Sequence, residues 1–400
     1  MKEGWQKKRL GELADIELGK TPARANASLW DGKRETGNVW LSIADLLSAE
    51  DNVVVDSREY VSDRGAAMCK LVPKGTLLVS FKLTLGRLAF AGRDLHTNEA
   101  IAALTLFDER ELSKEFLFWF LQFFDWVKAA ENDVKLKGMT LNKAKLKQMN
   151  VHFPKSLTQQ RRIVGILDEA FDGIATAKAN AEKNLQNARA IFESHLQSVF
   201  RNKKWKWKAL GDLCDRVEYG SSAKSKNEGR VPVLRMGNIQ DGKLDWGNLV
   251  YTNDKDEIAK YLLKHNDVLF NRTNSPELVG KTAIYKSEIP AIFAGYLIRI
   301  HRKEALLDGD YLNYFLNSQI AFDYGKTVVI SSVNQANING SKLKEYPIPA
   351  PSLVEQRQIV EKFDALAAET QRLESLYQQK LAALEALKKS LLHQAFTGEL

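Results

Sequence analysis

Two stretches of the chain carry apolar residues at alternating spacings of four and three, the pattern of a helix that buries one long stripe. The first seam runs Ile163, Leu167, Ala170, Ile174, Ala177, Ala181, Asn184, Ala188, Ile191 and His195. The second runs Ile359, Phe363, Leu366, Thr370, Leu373, Tyr377, Lys380, Leu384, Leu387 and Leu391. Corresponding residues lie 196 apart (356 − 160 for Gln356 and Gln160), and residues 156–200 align with 352–396 without a gap. A polar residue interrupts both seams at one shared position, Asn184 and Lys380. Each stretch opens with a capping box, Ser156 with Gln159 and Ser352 with Glu355, in which side chains and backbone N–H groups satisfy each other. The spacing predicts two heptad-patterned helices, each roughly 65 Å long at about 1.5 Å per residue. Four alanines line the first seam and bulkier residues the second, so each helix complements the other better than itself and the two are expected to pack together.

The repeat extends beyond the helices. Residues 5–15 (WQKKRLGELAD) match 205–215 (WKWKALGDLCD), now at an offset of 200. Within the intervening modules, 39–45 resembles 231–238, 74–80 resembles 265–271, 86–90 resembles 280–284, and 116–121 matches 311–316. Short strands mixed with helices predict an α+β or α/β module. The expected organisation is a first module at 1–155, a long helix at 156–204, a second module at 205–351 and a second long helix at 352–400. The halves differ at three polar loops: 19–38 against 220–230, 80–86 against 271–280, and 134–145 against 328–341. A shared scaffold with divergent loops is what two different recognition surfaces require.

At 400 residues the chain exceeds what one core organises. The longest aromatic-rich run, 116–127, contains Asp125 and is too short to span a membrane. The opening residues lead into charge, so no signal peptide is expected. Cys69 and Cys214 form neither a disulfide framework nor a zinc spacing, as suits a reducing cytoplasm. A net charge of +8 favours a polyanionic partner.

Catalytic constellations are missing from the pattern. Gly19-Lys20-Thr21 and Gly280-Lys281-Thr282 end like phosphate-binding loops, but the required earlier glycine is replaced by Ala14 and Ser275. Asp168-Glu169 falls inside the helical repeat and reads as a solvated face. Asn274-Ser275-Pro276-Glu277 lacks the aromatic residue and second proline of an amino-methyltransferase. The six histidines are dispersed, and no catalytic residue, metal site or cofactor is expected of this chain.

The divergent loops instead carry side chains suited to reading DNA, since arginine and lysine pair with guanine, asparagine and glutamine with adenine, and further basic groups hold phosphates. The candidates are Lys20, Arg24, Lys33, Arg34, Lys82, Arg87, Lys137 and Asn142 in the first half. In the second they are Lys224, Lys226, Arg235, Asn238, Asn271, Arg272, Asn274, Lys281, Asn334 and Gln335. Two other readings stay open on residues alone: a coiled-coil scaffold joining two protein-binding modules, and a single-chain methyltransferase or nuclease.

Two long helices opening S-L-x-x-Q-R-x-I-V after a proline-containing strand, each following a divergent module, resemble the specificity subunit of type I restriction-modification enzymes. The residues carrying the resemblance are 153–164 and 347–360, with Phe200 and Phe396 closing each repeat. The first copy departs at Gln159, where Glu355 of the second shows the family's usual E-Q-R. The resemblance implies two target-recognition domains and an antiparallel coiled coil that relates them by a pseudo-twofold axis. It implies a bipartite, asymmetric double-stranded DNA target whose half-site spacing the helices set, near one DNA turn or a simple fraction more. It also implies partners: two modification subunits that bring S-adenosylmethionine and methylate adenine, and two restriction subunits that use ATP and Mg. The helices would be the docking surface for the modification subunits. Inserting four residues near Ala181 is expected to change the tolerated spacing between half-sites and leave both half-site sequences intact. Selection from randomised DNA reads both quantities, and an altered half-site sequence contradicts the expectation.

Overall fold

The computed structural model describes residues 2–49, 51–130, 134–135, 138–332 and 335–400, with the backbone alone at 134, 135, 138–140, 331, 332 and 335. The chain divides into two compact units: Met1–Asn180 with Lys380–Leu400, and Ala181–Gln379. Each holds one module, the opening or closing turns of the first long helix (Leu157–Phe200, 44 residues) and the opposite end of the second (Leu353–Thr397, 45 residues).

The two modules repeat one set of ladders. In the first, Trp5–Arg9 pairs antiparallel with Asn150–Pro154; in the second, Trp207–Ala209 pairs likewise with Pro347–Pro349. The main sheet of the first unit runs Ala14–Leu18, Ile101–Leu106, Leu77–Ser80, Leu88–Ala91, Val53–Val54. That of the second runs Cys214–Tyr219, Leu297–Arg302, Val268–Asn271, Thr282–Ile284. A three-stranded sheet accompanies each, centred on Val39–Leu41 and on Val231–Leu234, with one antiparallel and one parallel neighbour in both. Antiparallel pairing dominates, which places the modules on the α+β side of the expectation. Central strands such as Leu77–Ser80 are buried at every position, so continuous apolar runs replace alternation there.

Start meets end in both units, so the long helices run antiparallel. In the first unit Ile163, Val164 and Leu167 share a core with Leu392, Ala395 and Phe396. The Phe396 ring meets Phe116 edge-on at 5.4 Å and stacks on Phe123 at 5.4 Å. In the second unit Phe200 takes the equivalent place, 5.6 Å from Phe363 and 5.1 Å from Phe315. Each such ring, fully buried, contributes about 1.5–3 kcal/mol. Ion pairs flank the seam inside each unit, Lys178 with Glu385 at 3.0 Å and Arg189 with Glu374 at 2.5 Å.

The seam departs from the strict heptad. Ile163, Leu167, Ile174, Ala181 and Ala188 are buried as expected. Beyond Ala181 the buried face continues through Leu185, Ala188, Phe192 and Leu196, so Asn184, His195 and Ile191 (61% exposed) point to solvent. The second helix does the same at equivalent positions: Leu381 replaces Lys380, Leu392 is more enclosed than Leu391, and Leu387 is 47% exposed. Phe363 is buried, whereas Ile359, Leu366, Leu373, Tyr377 and Leu384 are half-buried. A helix with 3.6 residues per turn drifts off a 3.5-residue repeat, and a one-residue slip restores contact.

A buried glutamine ties each long helix to its module. The Gln160 Oε1 accepts from the Ser113 N–H at 2.9 Å, and its Nε2 donates to the carbonyls of Glu111 and Pro154, both at 2.8 Å. The Gln356 Oε1 accepts from the Asp308 N–H at 2.8 Å, and its Nε2 donates to Leu306 at 2.9 Å and Pro351 at 3.0 Å. Ser113 and Asp308 are themselves the N-caps of the module helices Lys114–Phe123 and Gly309–Leu316. Asp168 also binds its module, accepting from the Trp119 Nε1 at 2.8 Å, as Asp364 accepts from the Tyr314 hydroxyl at 2.6 Å. Asp168 and Glu169 are exposed, as a solvated face requires, and Asp168 makes this one contact from it. Among the described residues no helix is long and apolar enough to cross a membrane.

Replacing Gln160 or Gln356 with alanine leaves one N–H and two carbonyls without their partner, so a loss of about 2–4 kcal/mol is expected from each. Denaturant titration measures it; a loss below about 0.5 kcal/mol would show the amides to be dispensable.

Candidate nucleic-acid interface

Each module gathers its three divergent loops at one place. In the first unit Lys82–Leu83, from the 80–86 loop, pairs with Gly138–Thr140, which pairs with Val134–Lys135. In the second, Thr273–Asn274 pairs with Gln335–Asn337, which pairs with Ile330–Ser332. Two loops distant in sequence thus become one ribbon in both halves.

The third loop is brought in by a glycine. A Cβ on Gly19 would lie 2.1 Å from the Thr97 oxygen and 2.3 Å from that of Asn98. On Gly220 it would lie 2.3 Å from the Phe293 oxygen and 2.5 Å from that of Ala294. Only glycine lets the chain leave the main sheet against a neighbouring strand this closely. The Lys20 N–H donates to the Thr97 oxygen and the Ser221 N–H to that of Phe293, both at 2.8 Å. Close backbone approach, and not phosphate binding, accounts for Gly19 in its Gly-Lys-Thr string.

Contacts bind the loops together. Thr21 donates to Glu99, whose carboxyl is held below its usual range by that hydrogen bond and by the nearby charges of Lys82 and Arg24. In the second unit Arg272 lies over the Tyr219 ring at 4.9 Å, and the Tyr219 hydroxyl accepts from the Gly340 N–H at 2.7 Å. Backbone bonds join Arg272 to Tyr296 at 3.0 Å and Ile338 to Arg272 at 2.9 Å.

The candidate side chains fall into distinct groups. Lys20, Lys33, Arg87, Lys224 and Lys226 are exposed; Lys82 and Lys281 are half-buried. Arg24 is ion-paired with Glu59 and stacked over Trp30 at 4.1 Å and Trp40 at 4.7 Å. Arg34 binds Asp56 at 2.5 Å and lies over Tyr60 at 4.8 Å, and hydrogen bonds from Arg34 and then Tyr60 lower the Asp56 pKa to about 2. Both guanidinium groups therefore carry local structure as they stand. Arg235 donates to the Asn248 oxygen at 2.8 Å.

The asparagines make bonds within the chain. Asn142 caps the helix Lys143–Gln148, accepting from the Lys145 N–H. Asn238 is buried, accepts from the Arg235 N–H at 2.9 Å and donates to Asp245 and Gly247. Asp45 does the same work in the first half, accepting from the Ser42 N–H at 2.7 Å. Asn271 is enclosed within its strand, and Asn274 accepts from the Ser275 N–H at 2.9 Å. Short amides serve turns and caps as readily as adenine, and sequence alone does not separate these uses. Lys137 and Asn334 lie outside the described residues, as does the side chain of Gln335. Tyr219 and Tyr296, 42% and 50% exposed, also lie beside Arg272, and the aromatic residue directly before Gly220 is the sequence signal for the first of them. Among the described residues no group of three or more His, Cys, Asp or Glu side chains could hold a metal ion.

Comparison with known proteins places this architecture. The chain is 30% identical over 197 residues to the type I restriction enzyme MjaX specificity subunit of Methanocaldococcus jannaschii, covering 48% of this chain and 45% of the relative. It is 27% identical over 270 residues to the StySPI specificity subunit of Salmonella potsdam, covering 63% of this chain and 58% of the relative. The chain thus spans about half the length of the curated relatives it matches. Its fold is that of the HsdS subunit from Thermoanaerobacter tengcongensis, with a TM-score of 0.60 at 18% identity, covering 100% of this chain and 98% of that one. A chain from a structure addressing assembly and conformational transition of the type I R-M system matches at a TM-score of 0.78 and 18% identity, covering 100% and 99%. The family described as type I restriction modification DNA specificity domain matches twice, at residues 2–186 and 202–385, and the chain belongs to that family.

Proposed function

We propose that this chain is the DNA-reading subunit of a type I restriction-modification system and catalyses nothing itself. The observation that carries the reading is that in each module two divergent loops pair into one ribbon while a glycine carries the third out of the same repeated scaffold. Similar frameworks with unlike ribbons suit two unlike half-sites of one bipartite DNA sequence. The recognition domains would occupy 1–155 and 205–351, and the long helices with their flanks 156–204 and 352–400. Exposed Lys20, Lys33, Arg87, Lys224 and Lys226 would neutralise phosphates, while half-buried Lys82, Lys281 and Arg272 near the ribbons would face bases. The relatives are named as specificity subunits of type I restriction enzymes, which supports modification subunits as partners and, in a complete enzyme, restriction subunits. S-adenosylmethionine, ATP and Mg would belong to those partners.

Selection from randomised DNA, with the chain bound to its modification subunit, is expected to yield one bipartite consensus with dissimilar halves. Enrichment of no sequence would overturn the reading. Lys82→Ala is expected to alter one half-site and leave the other unchanged, whereas Lys224→Ala should weaken binding to all sequences alike and lower the salt slope by about 1. A loss spread evenly over both half-sites for Lys82→Ala contradicts its assignment.

A further inference from the structure

Five arginines were nominated from the loops, and the structure sets one apart. Arg24 and Arg34 are neutralised by carboxylates, Arg87 is exposed, and Arg235 donates to a backbone oxygen at 2.8 Å. Arg272 has no carboxylate partner among the described residues. Its Nη1 reaches the Gly295 oxygen at 3.3 Å, a long bond, and its Nε is buried with no hydrogen-bond partner among the described residues. The guanidinium rests on the Tyr219 ring, which is pinned through its hydroxyl to the Gly340 N–H. Asn271, next door in sequence, carries an Oδ1 with no partner among the described residues, and that oxygen makes no bond to Arg272.

A buried donor left unpaired is unfavourable, and a long bond together with a stack on an exposed ring holds the group only lightly. Departure from this resting place relieves the unpaired donor, so the free chain already favours exchange of these contacts for better acceptors. Nε and an adjacent terminal nitrogen form the planar donor edge that matches two neighbouring acceptors. A guanine edge and a phosphate both provide them. The exposed lysines around the loops already meet the phosphate requirement, which asks for charge and not for a fixed plane. Arg272 stands instead at the junction of the second module's three loops, with Tyr219 and Tyr296 exposed beside it.

We propose that Arg272 is a specificity-determining residue of the second module, stored on Tyr219 in the free chain and pairing bidentately with a guanine when DNA is bound. The inference rests on the function proposed above. The test is selection from randomised DNA with the full chain and its modification subunits, comparing wild type, Arg272→Lys, Arg272→Ala and Tyr219→Phe. Wild type should select a guanine at one position of one half-site. Both Arg272 variants should lose that preference by about tenfold to a hundredfold, and lysine should fail despite its charge because it lacks the planar edge. Tyr219→Phe keeps the stacking face and should keep the guanine. The other half-site, read in the same molecules, should be unchanged and reports an intact fold. An unaltered consensus in both Arg272 variants overturns the inference, as does even weakening at every position with a salt slope lowered by about 1, which marks a phosphate contact. Failure of wild type to select any bipartite sequence is a separate result and sinks the reading beneath it.

Discussion

The structure depends on one constraint: a helix of more than forty residues with an apolar stripe cannot leave that stripe in water, and here each helix covers the other's. The contact is made where the opening turns of one helix meet the closing turns of the other, through Phe363 with Phe200 in one unit and Leu167 with Leu392 and Phe396 in the other. Those same aromatic rings reach into the module cores, Phe396 against Phe116 and Phe200 against Tyr311 and Phe315. The helical seam and the modules are therefore one continuous hydrophobic structure within each unit. Apolar burial sets its strength and is indifferent to direction; the polar contacts set its geometry.

Direction comes from Gln160 and Gln356. Each amide is fully buried and uses three hydrogen bonds to join the helix start, the strand before it and the cap of the module helix. An amide suits this position because it offers a donor and an acceptor together without a charge to desolvate. The second pair of contacts, Trp119 with Asp168 and Tyr314 with Asp364, lies two helical turns further on and fixes the module helix from the same side. Different aromatic donors meet the same carboxylate, so the geometry is kept while the module's residue changes.

On this frame the loops are free to differ. Gly19 and Gly220 pass the chain across a strand edge at a distance no side chain tolerates, and the ribbons at 82–83 and 273–274 bring up the rest. The two halves then fill the same place differently. The first has Thr21, Glu99 and Lys82, with Arg24 and Arg34 locked into ion pairs; the second has Tyr219, Arg272 and Tyr296, with no ion pair on Arg272 among the described residues. Like scaffolds thus carry unlike chemistry at the same place.

The sequence by itself determined the duplication, the two long helices with their caps, and the alternation of module and helix. These follow from local periodicity and from repetition, which need no knowledge of distant contacts. Tertiary structure alone decided the one-residue slip of the seam after Ala181, because the drift of a real helix against a heptad appears only once a partner must be met. It also decided which nominated side chains are spoken for. Asn142 and Asn238 serve a cap and a turn, Asn271 is enclosed in its strand, and Arg24 and Arg34 meet carboxylates, since the partners that claim them lie elsewhere on the chain or in backbone geometry that composition does not reveal. Gln160 and Gln356 were visible as a repeated motif, but their bonds to residues nearly fifty positions earlier exist only when the module folds back onto its helix.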